Sequence, residues 1–182
     1  MSSPLRISVA KANLATATRL AALGRQTFTE TFAAANKAED MAAYLAEAYG
    51  PEIQLAQLQD PRCTCLLAEM QGQAVGYVQL WQDSRLGLPA DALTTKQLEI
   101  KQLYVVEDWI GTGLGAALMR RCLELAQAAG ATALVLGVWE HNERAKAFYQ
   151  RFGFREVSEI AFKLGQDIQR DLILRKGLAG RA

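Results

Sequence analysis

Residues 103–116 read Leu-Tyr-Val-Val-Glu-Asp-Trp-Ile-Gly-Thr-Gly-Leu-Gly-Ala. An apolar, β-prone run (Leu103, Tyr104, Val105, Val106) passes through an acidic turn into three alternate glycines, Gly111, Gly113 and Gly115. Beyond them Leu114, Leu118, Cys122, Leu125 and Ala129 recur with a 3.6-residue period, which predicts a helix over about 113–130, closed by Gly130. A strand therefore runs through a glycine turn into a helix N-terminus. The first amides of a helix have no intrahelical acceptor, and the positive end of its dipole lies among them. Glycine lets backbone approach an anion closely, so the segment has the makings of a phosphate cradle.

The flanking segments predict the sheet around this turn. Residues 96–105 form its incoming strand. Residues 132–138 (TALVLGV) form a nearly all-apolar strand, which expects cover on both faces. The 96–138 unit then forms one right-handed βαβ crossover. Upstream, 4–12 alternates Leu5, Ile7 and Val9 as a strand, and 15–28 is helical. Residues 36–48 form a helix opened by Asn36 and stopped by Gly50-Pro51, with a short helix at 51–59. Residues 63–69 and 74–82 flank Gln71-Gly72-Gln73 as a hairpin, and 83–95 reads as a loop. Downstream, Asn142 caps a helix to about 152 closed by Gly153. Strands 154–163 and 168–176 then meet at Gly165-Gln166-Asp167. The predicted class is α/β (α+β): a mixed, mostly antiparallel central sheet of six to seven strands with helices on both faces.

Composition narrows the function. The chain has 182 residues, 51% apolar and 21% charged, which fits a single domain over 1–182. Twenty Lys and Arg against nineteen Asp and Glu leave a net charge of +1, with no field to draw nucleic acid. No run of about 18 apolar residues predicts a membrane span, and the N-terminus lacks a secretory pattern, so a cytoplasmic protein is expected. Cys63, Cys65 and Cys122 form no C-x-x-C pair and His141 is the only histidine, so no disulfide framework and no metal site are expected.

Taken alone, 103–116 admits several readings. A P-loop needs a Lys after its last glycine, and none follows. A dinucleotide fingerprint needs G-x-G-x-x-G, whereas the spacing here is G-x-G-x-G. A coenzyme A pyrophosphate loop fits, and so does a glycine turn with no ligand. A further segment, 136–154, reads Leu-Gly-Val-Trp-Glu-His-Asn-Glu-Arg-Ala-Lys-Ala-Phe-Tyr-Gln-Arg-Phe-Gly-Phe. Together the two segments resemble the GNAT acetyltransferase superfamily. Residues 103–116 are similar to its motif A, Q/R-x-x-G-x-G/A. Residues 136–154 are similar to motif B, matched at Asn142, Ala145, Phe148, Tyr149, Gly153 and Phe154. Ile110 departs from the Gln or Arg that usually opens motif A. Thr-Phe-Thr-Glu-Thr-Phe (27–32), residues 41–45, Gly-Val-Trp-Glu (137–140) and 163–174 are similar to the PaiA-type branch, which includes spermidine/spermine acetyltransferases. The likeness spans about residues 5–177.

The resemblance implies acetyl-CoA as co-substrate, bound in a core at 96–154, and a helical acceptor wall at 28–60. Leu103, Tyr104 and Val105 would flank the pantetheine arm where the strand splays from its neighbour. Gly111, Thr112, Gly113, Leu114, Gly115 and Ala116 would cradle the pyrophosphate, with Arg144, Lys146 and Arg151 as further phosphate partners. Asn142 and Tyr149 would contact the cofactor near its reactive end.

The chemistry explains these residue types. A primary amine has a pKa near 10.4, so freeing it of its proton at pH 7 costs about 4–5 kcal/mol. A carboxylate accepts that proton, directly or through water; Glu99 matches the family's base position. Tyr149 resembles the general acid that protonates the departing thiolate. The Val105 amide is the natural donor to the thioester oxygen. Glu30, Trp139 and Glu140 are candidate acceptor contacts, and His141 reads as a loop residue. Residues 28–60 hold six carboxylates against Lys37, which reads either as a solvated acidic helix surface or as an acidic wall that would favour a polyamine. The expected reaction is direct attack by a small amine in a ternary complex. Protein N-terminal or lysine acetylation is one alternative, and a coenzyme A-binding regulatory module with little turnover is another. The expected partner is the small amine, with no nucleic acid or membrane and with the chain a monomer or homodimer.

Overall fold

The computed structural model describes residues 5–89 and 96–178. Its strands are β1 (Arg6–Val9), β2 (Cys63–Met70), β3 (Gln73–Trp81), β4 (Gln97–Val105), β5 (Ala133–Trp139), β6 (Arg155–Leu164) and β7 (Asp167–Gly177). Its α-helices are α1 (Leu14–Phe32), α2 (Ala38–Ala48), α3 (Pro51–Gln59), α4 (Leu114–Ala128) and α5 (Glu143–Arg151). One sheet carries the strands in the order β1-β2-β3-β4-β5-β7-β6. Neighbours are antiparallel except β4 and β5, the parallel pair of the crossover. The expected class is observed, a mixed and mostly antiparallel sheet of the α/β class.

Side-chain alternation along the strands builds a core on each face. In β2, Leu66 and Ala68 join β3 residues Val78 and Leu80 beneath Leu118, Met119 and Cys122 of α4. Cys65 and Leu67 point the other way, with Tyr77, onto Leu20 and Leu23 of α1. Both faces are covered, which is why β2 reads as an apolar run rather than an alternation. Cys65 and Cys122 are buried and Cys63 half-buried, each a free thiol.

The predicted elements are present with shifted ends. Helix α1 starts where the Asn13 side chain accepts from the Thr16 amide at 2.9 Å. It runs on to Phe32 rather than ending near 28, because Phe28 and Phe32 pack 4.5 Å apart beside Tyr44. Asn36 does not cap α2; Lys37 holds that position. Asn36 instead donates to the Phe32 carbonyl at 2.8 Å and accepts from Gln169 at 2.5 Å, tying α1 to β7. The β2–β3 turn needs only Gln71 and Gly72, both with positive φ, the twist that suits a tight hairpin. Of the loop read at 83–95, residues 90–95 lie outside the described residues. No described helix is long and apolar enough to cross a membrane. Strand β6 forms the outer edge, with Val157 and Ile160 exposed.

Candidate functional site

The site begins where two strands part. Strands β4 and β5 pair only at Gln97↔Ala133, Leu98↔Leu134 and Glu99↔Val135. Beyond Glu99, β4 continues against β3 alone, with Lys101 as an extra residue between the Leu80↔Ile100 and Gln79↔Gln102 pairs. Such a bulge bends the strand that carries it. The Val106 amide donates to Val75 in β3 at 3.0 Å. Because alternate residues of a strand point opposite ways, the amides of Leu103 and Val105 face the gap left by β5.

One cavity of about 480 Å³ opens along that gap, lined by Leu103, Tyr104, Val105, Asn142, Phe148 and Tyr149 at its inner end. Gly111, Gly113, Gly115 and Ala116 line its outer end with Arg144 and Arg151. Gly111 and Gly113 have φ of 84° and 92°, a conformation that L side chains rarely adopt. The first amide of α4 bonded within the helix is Ala117, to Gly113 at 2.9 Å, which leaves those of Leu114, Gly115 and Ala116 without intrahelical partners. The Leu114 side chain is buried in the core and anchors this end. Thr112 turns its hydroxyl back to the Trp109 carbonyl at 2.7 Å, so only its backbone belongs to the loop. The donor-rich turn and the two guanidinium groups fit a polyphosphate. Lys146 faces elsewhere, bonded to Glu143 and to the Glu140 carbonyl, both at 2.6 Å.

Another cavity, of about 330 Å³, lies across the parted strands, and Leu103, Tyr104, Asn142, Ala145 and Tyr149 line both. The two cavities therefore meet at these residues. The Asn142 carboxamide oxygen accepts from the Ala145 amide at 3.1 Å and fixes the start of α5. Further along that helix, Tyr149 is buried, and burial, with the Cys122 thiol behind it, pushes its hydroxyl above the usual range. A phenol in that setting keeps its proton until a stronger base takes it.

This inner cavity is walled by Phe28, Phe32, Tyr44, Trp139 and Phe162 and carries two carboxylates, Glu99 and Asp171. Phe28 and Tyr44 stack with centroids 4.6 Å apart. Glu99 is half-buried and accepts from the Ser84 hydroxyl at 2.7 Å. Burial pushes the Asp171 carboxyl up to about 6, and pushes Tyr44 up to about 12 with Asp171 adding to the effect.

Two of the residues expected near the acceptor, Glu30 and Glu140, do not line this cavity. Glu30 is exposed; its carboxylate accepts from the Glu107 amide at 3.0 Å and from Gln26 at 2.8 Å. Glu140 pairs with Arg170 at 3.0 Å beside the exposed His141, in an outer hollow rather than this cavity. Trp139 lines both that hollow and the cavity. Among the other carboxylates of 28–60, Glu39, Glu47 and Glu52 are exposed, Asp40 accepts from the Gln166 amide at 2.7 Å, and Asp60 pairs with Arg62. That region contributes aromatic rings to the cavity, not charge.

Asp171 is the residue sequence reasoning missed. Its only signal is parity: it shares a strand face with Gln169 and Ile173, beside the buried run Leu172–Leu174. Thr31 also lines the first cavity without a chemical signal of its own, beside Phe148 of motif B. Among the described residues, no group of three or more His, Cys, Asp or Glu is placed to hold a metal.

Residues 26–154 match the acetyltransferase (GNAT) family. The chain belongs to that family. This GNAT chain is 34% identical to an uncharacterized N-acetyltransferase from the pepI 3′ region of Lactobacillus delbrueckii subsp. lactis, over 86% of its own length and 89% of the relative's. It is 30% identical to an uncharacterized N-acetyltransferase of Mycobacterium tuberculosis, over 89% and 97% respectively. Its fold is similar to the crystal structure of a PaiA N-acetyltransferase from Thermoplasma acidophilum in complex with coenzyme A. The TM-score is 0.76 at 18% identity, covering 97% of this chain and 100% of that one.

Proposed function

We propose that this GNAT N-acetyltransferase moves the acetyl group of acetyl-CoA to the primary amine of a small molecule, by direct attack within a ternary complex. The carrying observation is the meeting of two cavities across the parted β4 and β5, one rich in backbone donors and arginine, the other aromatic and acidic. Acetyl-CoA supplies the activated acetyl thioester. The Gly111–Ala116 turn with Arg144 and Arg151 holds the phosphates, and the Leu103 and Val105 backbone holds the amides of the arm. The Val105 amide faces the gap and stabilises charge on the thioester oxygen. Tyr149, kept neutral by burial, gives its proton or a hydrogen bond to the leaving sulfur. Glu99 is the carboxylate that the family pattern nominates as proton acceptor. Among the described residues no cysteine or serine lines either cavity, which fits direct transfer.

The reading also takes residues 1–182 as one domain acting alone or as a homodimer. The aromatic wall favours a compact acceptor over a peptide groove. The test is thiol release from acetyl-CoA across spermidine, spermine, putrescine, arylalkylamines, lysine, aminoglycosides and short peptides. Turnover with small amines supports the proposal. Turnover with peptides alone moves it to protein acetylation, and acetyl-CoA binding without any turnover reduces the chain to a binding module.

A further inference from the structure

Asp171 is a carboxylate without company. It lies in the inner cavity, flanked along the sheet by Trp139 of β5 and Ile160 of β6. Among the described residues no cation pairs with it and no hydrogen bond reaches it. Glu99, the other carboxylate there, is already engaged by Ser84. Asp171 is half-buried, and a carboxylate partly withdrawn from water is normally paired, because desolvating an unpaired charge is costly. Gln102 lines the same cavity and has a buried Oε1 with no hydrogen-bond partner. Two unsatisfied acceptors thus share a chamber walled by aromatic rings. The complement of that arrangement is an ammonium ion: N–H donors for the oxygens and positive charge for the ring faces.

We propose that Asp171 takes the ammonium group of the acceptor and removes its proton, and that the acceptor is a compact monoamine with an apolar body rather than a polyamine. The proposal rests on the amine-acetylating function above and specifies its acceptor half. One free carboxylate matches one cation; a polyamine would bring further charges against Phe28, Phe32, Tyr44 and Phe162. In the step, one N–H proton passes to the Asp171 carboxylate. The nitrogen lone pair forms the N–C bond at the thioester carbonyl, and the C–S bond breaks. The sulfur leaves as thiolate and receives the second amine proton by way of Tyr149. Asp171 returns its proton to solvent.

The carboxyl's position near 6 suits a base at neutral pH: ionised above that value, and stronger than an ordinary aspartate. The titratable groups sharing its cavity are Tyr44 of α2, Glu99, Lys101 and Tyr104 of β4, and Tyr149 of α5; α1, β5 and β6 present Phe28, Phe32, Trp139, Ile160 and Phe162.

The experiment is the pH dependence of kcat/KM for the best amine of the panel, with wild type, Asp171→Asn, Asp171→Glu and Glu99→Gln. Wild type should rise through about pH 6 to a plateau. In Asp171→Asn the plateau should vanish and kcat/KM at pH 7 fall by about a hundredfold or more. The remaining rate should climb about tenfold per pH unit toward the amine's own pKa near 10.4, as free amine replaces the missing base. Asp171→Glu should restore part of the plateau, and acetyl-CoA affinity should not change in any variant. A plateau kept in Asp171→Asn, or lost instead in Glu99→Gln, overturns the assignment, as does best turnover with spermidine or spermine. If the wild type acetylates no amine, the proposed function fails. Calorimetry with phenethylammonium at pH 7 then decides Asp171: binding lost in Asp171→Asn upholds the cation site, and equal or absent binding to both overturns it.

Discussion

Gly137 leaves room for the Asp171 carboxylate: a Cβ at residue 137 would stand 3.5 Å from its Oδ2. The two lie on adjacent strands, where Trp139 and not Gly137 is the register partner of Asp171. The missing side chain therefore opens cavity space beside the acid. Gly137 has no positive φ, so a larger residue fits the backbone and changes only that space. Gly137→Leu should raise the KM for amine at least about tenfold while leaving the Kd for acetyl-CoA within about twofold. Parallel steady-state kinetics and calorimetry check this.

Tyr149 stands where the two cavities meet, and its proposed role is to give a proton rather than to bind. Positioned acid catalysis contributes about 10²–10⁴-fold. Tyr149→Phe should lower kcat by at least about a hundredfold and change the acetyl-CoA Kd by less than about threefold. A thiol with a lower pKa as leaving group should recover part of the loss, because it needs less help from the acid. An unchanged kcat would remove Tyr149 as the acid.

Gly113 sits at the α4 N-terminus with φ 92° and open space around it. A side chain there meets no neighbour but strains the backbone by about 1–2 kcal/mol. Gly113→Val should weaken acetyl-CoA about tenfold by displacing the amides of the turn, with little effect on the KM for amine. Calorimetry with coenzyme A reads this directly, since the free thiol retains the phosphates.

The unpartnered Asp171 also sets a pH dependence of stability. Its carboxyl is raised in the folded state, so the fold binds more protons there than the unfolded chain between the ordinary aspartate range and about pH 6. Its contribution to stability is full when protonated and is lost as pH rises through about 6. Asp171→Asn should therefore raise Tm by a few degrees above pH 7 and leave it unchanged near pH 3. Thermal melts at both pH values test the sign; a lower Tm at neutral pH would mean that the carboxylate has a stabilising partner.

Most of the lining of the first cavity, the proposed coenzyme half, was legible in the sequence, because its parts are local. Gly111, Gly113 and Gly115 stand at the joint between a strand and a helix, and Asn142 and Tyr149 fall on one short helix and its cap. Spacing along the chain is enough to place such residues together. Of the second cavity, the proposed acceptor half, only Glu99 and Trp139 were legible apart from the residues it shares with the first, because it is assembled from α1, α2, β4, β5, β6 and β7. Charge counting over 28–60 left an acidic wall and an outward acidic helix surface both open; helix geometry turns Glu39, Glu47 and Glu52 outward and Phe28, Phe32 and Tyr44 inward. Amphipathic helices bury their apolar stripe, so the net charge of a segment says little about the surface it gives a cavity.

The sequence by itself determined the element order, the βαβ crossover and the glycine turn at the α4 N-terminus, since hydrophobic period, glycine placement and capping act over a few residues. Tertiary structure alone decided where β4 leaves β5, which carboxylates face the gap and which are engaged elsewhere. Glu30 and Glu140 found partners in Glu107 and Arg170, and Asp171 found none among the described residues. Such pairings depend on residues far apart in the chain meeting in space, a relationship that spacing along one strand or helix does not contain.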